Sequence, residues 1–111
     1  MRAWRAHLRA ENAMNVIHVA REIEVETKRF GTMAAASREM GMSRAKASYY
    51  MALLRCLPSD FVTWLEAEQD KTIWAYFTER RLRPVTKARD LETQKALLEE
   101  MVAEAVSLKR T

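Results

Sequence analysis

The apolar residues of this chain are spaced as in α-helices almost throughout. One stripe, with intervals of three and four residues, comprises Val16, Ala20, Ile23, Thr27 and Phe30. Residues 91–109 repeat apolar positions every seven residues, which predicts an amphipathic C-terminal helix. No run of β-branched residues alternates with period two. The pattern therefore predicts an all-α fold, a compact domain of several helices.

Residues 32–58 predict two helices joined by a three-residue turn. Thr32 is a favourable N-cap for the first helix, and Ser43 is one for the second. Gly41 stands where the chain must adopt a positive φ to leave the first helix. Ser37 is small enough to let the two helices approach closely. This arrangement is typical of a helix-turn-helix.

The second helix of this pair separates into two faces. The face expected to line the core comprises Ala47, Tyr50, Met51, Leu54 and Leu57. The outer face comprises Arg44, Ala45, Lys46, Ser48, Tyr49, Ala52 and Arg55. It is cationic, hydroxylated and free of acids, and a helix with such a face fits the major groove of DNA. The alternative is an ordinary helical hairpin whose basic side chains are only solvated.

The rest of the chain predicts further helices and one aromatic group. Pro58 restarts the chain before a helix that ends near residue 69, and Pro84 is expected to begin a short helix that ends near residue 90. The aromatic group comprises Ile73, Trp74, Tyr76 and Phe77. It favours a core or a partner-binding face over a stacking platform for bases. Residues 1–10 either dock on the body or form a separate arm.

Composition narrows the class of protein. The 111 residues predict one domain spanning residues 1–111, and two Gly and two Pro leave few helix breakers. No stretch is apolar enough for a membrane span, and no secretory signal is visible. The single cysteine, Cys56, excludes an internal disulfide and is expected to be at least half-buried. These features favour a cytoplasmic protein.

The distribution of charge is more informative than the net charge of +4. Residues 28–55 contain six basic residues and one acid, and residues 80–89 contain five basic residues and no acid. Residues 58–70 show the reverse, with four acids and no base. Two basic clusters on a helix-turn-helix are the electrostatic pattern expected of a protein that contacts a duplex backbone.

Motifs for catalysis or cofactor binding are not visible in the sequence. There is no glycine-rich phosphate loop and no nucleophile beside a usable base. His7 and His18 are isolated, with no metal-ligand spacing around them. We therefore expect a protein that is not an enzyme and that needs no cofactor or metal.

Residues 32–58 also resemble the central helix-turn-helix domain of the ParB/KorB family of bacterial partition proteins. Residues 41–44 are Gly-Met-Ser-Arg where the family has Gly-Lys-Ser-Arg, and residues 47–49 are Ala-Ser-Tyr where it has Val-Ser-Asn. Residues 51–54 correspond to its Leu-Arg-Leu-Leu run, which ends in Leu-Pro, as residues 57–58 do. The family's nucleotide-binding motif and dimerisation domain have no counterpart in this chain. The resemblance implies a standalone DNA-binding module.

The residue pattern and the resemblance both predict a protein that binds double-stranded DNA sequence-specifically. It would be either a regulator of transcription or a plasmid or mobile-element accessory factor. It is expected in the cytoplasm, on the nucleoid. The residues expected to face bases are Ser43, Arg44, Lys46, Ser48 and Tyr49. The residues expected to contact phosphates are Thr32, Arg38, Arg55, Arg80, Arg81, Arg83, Lys87 and Arg89. A small helix-turn-helix usually binds a two-fold site, so we expect a homodimer.

The alternative hypothesis is a protein–protein interaction module. In that case the aromatic segment 73–77 and the C-terminal helix would bind a protein partner, and the helix-turn-helix would serve only as a scaffold. An exposed apolar patch would favour this hypothesis.

Overall fold

A computed structural model of the chain describes residues 13–110. The described part is all-α, as predicted. Its helices are α1 (Val16–Phe30), α2 (Met33–Glu39), α3 (Arg44–Cys56), α4 (Ser59–Ala67), α5 (Lys71–Tyr76), α6 (Glu79–Thr86) and α7 (Leu91–Arg110). The expectations about residues 1–10 lie outside the described residues. The predicted C-terminal helix is confirmed as α7, and the helix predicted after Pro58 is confirmed as α4.

Helix α1 begins at a buried asparagine that also joins it to α4. The Asn15 side chain accepts a hydrogen bond from the Ile17 amide at 3.0 Å, which caps the first turn of α1. Its Nδ2 donates to the Leu65 carbonyl at 2.7 Å, near the end of α4. One buried amide therefore caps the start of α1 and joins it to the end of α4, where the Leu65 carbonyl also accepts from the Glu68 amide at 3.1 Å.

The hydrophobic core is a single cluster to which α1 and α3–α7 all contribute. Its buried residues are Val16, Ile17, Leu53, Leu57, Phe61, Val62, Leu65, Ile73, Tyr76, Phe77, Leu82, Val85, Leu98 and Ala105. Phe77 is completely buried among three aromatic rings, with centroid distances of 5.3 Å to Phe61, 5.9 Å to Trp64 and 4.9 Å to Tyr76. The aromatic segment is thus mainly core, and it does not form an exposed stacking platform.

The predicted helix start at Pro84 is wrong. Helix α6 begins five residues earlier, at Glu79, because the Thr78 hydroxyl accepts from the Arg81 amide at 3.1 Å and caps the first turn. Leu82 and Val85, three residues apart, are buried on the core side of this helix. A proline inside a helix removes one backbone hydrogen bond. Here the N-cap and the burial of two apolar side chains offset that loss.

Two expectations about α3 are also wrong. Leu53 is absent from the predicted core face, yet it is completely buried and belongs to the core cluster. Cys56 is exposed, although the sequence predicts that it is at least half-buried. Leu54 and Tyr50 are half-buried and pack against the core, and Met51 is half-buried. Ala47 and Leu57 are buried as predicted.

Helix α7 docks on the rest of the domain through a buried glutamine. The Gln94 Nε2 donates to the Cys56 carbonyl at 2.7 Å and to the Val85 carbonyl at 3.0 Å. These carbonyls lie at the C-terminal ends of α3 and α6, and the Val85 carbonyl also accepts from the Ala88 amide at 3.1 Å. One side of α7 is therefore held against its own domain.

Replacing Gln94 with leucine should destabilise the fold by about 1–3 kcal/mol, because the change keeps the bulk but removes the Gln94 donor from the partly buried Cys56 carbonyl and from the Val85 carbonyl. Urea unfolding monitored by circular dichroism measures this difference. Glu100→Leu is the matched control, since Glu100 is exposed on the same helix, and it should change stability by about 0.5 kcal/mol or less. Equal effects of the two changes would contradict the role of the Gln94 hydrogen bonds.

Candidate nucleic-acid interface

The turn between α2 and α3 is shaped by a glycine with positive φ. Gly41 has φ 71°, and its amide donates to the Arg38 carbonyl at 3.2 Å. The Met42 amide donates to the Ser37 carbonyl at 2.9 Å, which completes a Schellman ending of α2. Met40 acts as the C-cap, so the turn has four residues, 40–43, one more than predicted.

The predicted N-caps of both helices are confirmed. The Thr32 hydroxyl accepts from the Ala35 amide at 3.1 Å, and the Ser43 hydroxyl accepts from the Lys46 amide at 3.1 Å. Ser37 is buried, as expected for a small residue between close helices. Helix α1 packs against both α2 and α3, and α2 packs against α3. These contacts fix α3 on the domain while its outer face stays accessible.

The residues predicted to face bases all lie on α3 or at its start. Ser43, Arg44, Lys46 and Tyr49 are exposed, and Ser48 is half-buried. Ala45 is exposed in the same region, so part of this face is lined by a methyl group. A helix surface with small residues beside cations can approach a nucleic-acid groove closely. We refer to these predicted base-facing residues, 43, 44, 46, 48 and 49, as the α3 face.

Helix α6 reaches the α3 face through a stack of two side chains. The Arg83 guanidinium lies 3.9 Å from the centroid of the Tyr49 ring. Arg83 Nε donates to Glu79 Oε2 at 2.9 Å, and its Nη2 donates to Glu79 Oε1 at 2.6 Å. These hydrogen bonds to Glu79 raise the pKa of Arg83 above its already high ordinary value. Tyr49 is therefore braced by an arginine that is itself oriented by a carboxylate.

The Arg83 guanidinium therefore contacts Glu79 and Tyr49, whereas the sequence predicts that it contacts a phosphate. Two arms of its guanidinium are engaged inside the protein. The i, i+4 spacing of Glu79 and Arg83 is visible in the sequence and could have suggested their pairing. Tyr49 is 34 residues from Arg83, so no local pattern reveals their contact.

Two of the α6 cations share the side of the helix that borders the α3 face. Arg80 and Arg83 of α6 and Lys87, its C-cap residue, are spaced i, i+3, i+7, which places them on one side of the helix. Arg83 contacts Tyr49, so Arg80 and Lys87 flank the α3 face on that side. Arg81 lies elsewhere, with its guanidinium 4.4 Å from the centroid of the Tyr76 ring. The structure thus separates Arg81 from the other predicted phosphate contacts of α6.

Most of the predicted DNA-binding cations are exposed and lack an acidic partner among residues 13–110. These cations are Arg38, Arg44, Lys46, Arg55, Arg80, Arg81, Lys87 and Arg89. Thr32 is exposed as well, and its hydroxyl proton is not used by the N-cap bond. By contrast, Arg21 pairs with Glu66 at 3.2 Å, on the surface between α1 and α4. Cations without intramolecular partners are available to neutralise an external anion.

Residues 13–110 contain no group of three or more His, Cys, Asp or Glu side chains that could hold a metal ion. In the same range, no helix has both the length and the apolar character needed to cross a membrane.

Comparison with known proteins found no matching family model, no matching curated protein and no matching solved structure.

Proposed function

We propose that this protein binds double-stranded DNA through α3, which enters the major groove. The observation that supports this proposal best is the α3 face itself, which is exposed, cationic and free of acids. Arg80 and Lys87 lie beside it on α6, where they can contact phosphates on the flank of the groove. The ParB/KorB resemblance of residues 32–58 points to the same use of this helix.

Each residue of the α3 face has a role in this proposal. Arg44, in the first turn of α3, donates two hydrogen bonds to O6 and N7 of a guanine. Ser48 lies one turn further along the same side and reaches a neighbouring base edge or phosphate. Tyr49 presents its hydroxyl on the side next to α6, where Arg83 restricts the motion of its ring. Lys46 and Ser43 border the groove.

Phosphate contacts supply most of the affinity, and contacts to base edges supply the discrimination. Arg38, Arg55, Arg89 and Thr32 join the two α6 cations in the first role. A protein with these properties would act in the cytoplasm on the nucleoid, as a regulator of transcription or an accessory factor of a plasmid or mobile element.

The test begins with selection of preferred sites from random duplexes. On the selected site, Arg44→Ala should weaken binding by about 1–3 kcal/mol, and on a scrambled duplex it should weaken binding much less, because the lost contact reads a base. Arg80→Ala should weaken binding to both duplexes by a similar factor, because a phosphate is present in every sequence. Fluorescence anisotropy with both labelled duplexes measures these affinities.

Arg21→Ala is the matched control for this test. Like Arg44→Ala and Arg80→Ala, it removes one positive charge, but Arg21 pairs with Glu66 away from the α3 face. The Arg21→Ala variant should therefore bind DNA with nearly the affinity of the original protein. If Arg44→Ala lowered the affinity for selected and scrambled duplexes equally, the proposed reading of bases by Arg44 would be wrong. If no duplex bound, the proposed function itself would be wrong.

The alternative function, a protein-interaction module, loses part of its support in the structure. Ile73, Tyr76 and Phe77 are buried, so of the aromatic group only Trp74 retains substantial exposure. The Trp74 indole also donates to the Glu68 carbonyl at 2.8 Å. What remains of that hypothesis concerns α7.

A further inference from the structure

A groove lies between α4 and α7, and no residue of the α3 face lines it. Its volume is about 340 Å³, and Phe61 and Trp64 of α4 face Leu98 and Val102 of α7 across it. Phe61 and Leu98 are buried, but Trp64 and Val102 are only half-buried. Partly exposed apolar side chains in a concave surface are typical of a binding site for another helix.

Charged side chains of both signs surround this apolar floor. Asp60 comes from α4, and Lys95 and Glu99 come from successive turns of α7. All three are exposed, and none forms an ion pair with another residue in the range 13–110. The rim therefore presents unpaired positive and negative charge side by side.

The charges of the rim bear on the occupant. A polyanion would be repelled, because Asp60 and Glu99 outnumber Lys95. A second copy of the same surface, related by a two-fold axis, can place an acidic side chain opposite Lys95. With α7 antiparallel to α7 of the other copy and the axis near residue 97, Lys95 of each chain faces Glu99 of the other.

We propose that this groove is the interface of a homodimer in which α7 of each chain packs along the groove of the other. The 20 residues of α7 extend for about 30 Å, long enough to contribute to an interface of about 800 Å² per partner. Leu91, near the start of α7, is 54% exposed and would extend the apolar contact. The proposal does not depend on DNA binding, because its residues are distinct from the α3 face.

Sedimentation equilibrium of the full chain without DNA tests the proposal, over concentrations from about 1 µM to about 1 mM. The fitted mass should rise from one to two chains of 12.9 kDa. Glu99→Lys should raise the dimer dissociation constant at least about tenfold, because it places a second positive charge opposite Lys95 of the other copy. Lys95→Glu should act in the same direction.

The double variant Lys95→Glu, Glu99→Lys restores opposite charges across the interface and should recover dimerisation. Glu100→Lys is the matched control: Glu100 is exposed on the far side of α7, so this change should leave the dissociation constant unaltered. Thermal melts check that the variants are folded. A monomer at every concentration would overturn the proposal. Equal effects of Glu99→Lys and Glu100→Lys, or a double variant that remains monomeric, would also overturn it.

Discussion

Binding to a random-sequence duplex should weaken about 500-fold when salt rises from about 50 mM to about 200 mM. The slope of log K against log salt is about −0.9 for each phosphate that a protein neutralises, so this figure corresponds to about five contacts. Eight predicted DNA-binding cations are exposed without an acidic partner in the described part of the chain, which is enough to provide five. Anisotropy titrations at several salt concentrations would give the slope.

Single substitutions test which cations produce the salt dependence of DNA binding. Arg80→Ala should reduce the magnitude of the slope by about 0.9, one phosphate, whereas Arg21→Ala should leave the slope unchanged. An affinity that hardly varies with salt would contradict phosphate binding. A slope reduced equally by Arg80→Ala and Arg21→Ala would indicate nonspecific attraction by the net charge, and Arg80 would lose its assigned role as a phosphate contact.

Phe77→Ala should lower the free energy of unfolding by about 3–5 kcal/mol. The Phe77 side chain is completely buried, and its ring makes edge-to-face contacts with Phe61, Trp64 and Tyr76. Removing it loses the transfer free energy of the ring, leaves a cavity and breaks these aromatic contacts. Urea unfolding at about 10 °C, where the variant is most readily kept folded, would measure the loss.

Phe30→Ala provides the comparison at the surface. Phe30 is 38% exposed, and the Arg29 guanidinium lies 5.3 Å from the centroid of its ring. Its removal should therefore lower the free energy of unfolding by about 1 kcal/mol or less. The folded fraction of the Phe77→Ala protein should still bind DNA with nearly its original affinity. A loss of DNA affinity without a loss of stability would instead favour a base-stacking role for the aromatic segment, and would contradict its assignment to the core.

Local sequence was sufficient to predict the elements that depend on neighbouring residues. An N-cap needs a hydroxyl that reaches an amide three residues later, and the caps at Thr32 and Ser43 are confirmed. The turn needs a glycine that adopts a positive φ, and this is confirmed at Gly41. The seven-residue repeat likewise predicted α7 almost to its ends. Pro84 shows the limit of such rules, because a strong cap at Thr78 overrode the breaking tendency of proline.

The missed features depend on contacts between distant residues. Leu53 belongs to the core cluster that several helices build together, and periodicity within α3 does not reveal which of its residues those helices cover. The charge pattern grouped Arg83 with the phosphate contacts. The pattern does not show that Glu79 and Tyr49 contact the Arg83 guanidinium. The binding activity of the α3 face stays a prediction, and the experiments above test it.

The contact between Arg83 and Tyr49 also bears on how this helix could be used in protein engineering. A designer who transplanted α3 alone into another scaffold would move Tyr49 without the arginine that restrains it. The freed ring would sample several rotamers, and the entropy lost on ordering it again would weaken every complex in which it takes part. The smallest transferable unit is therefore α3 together with α6, two segments that are distant along the chain.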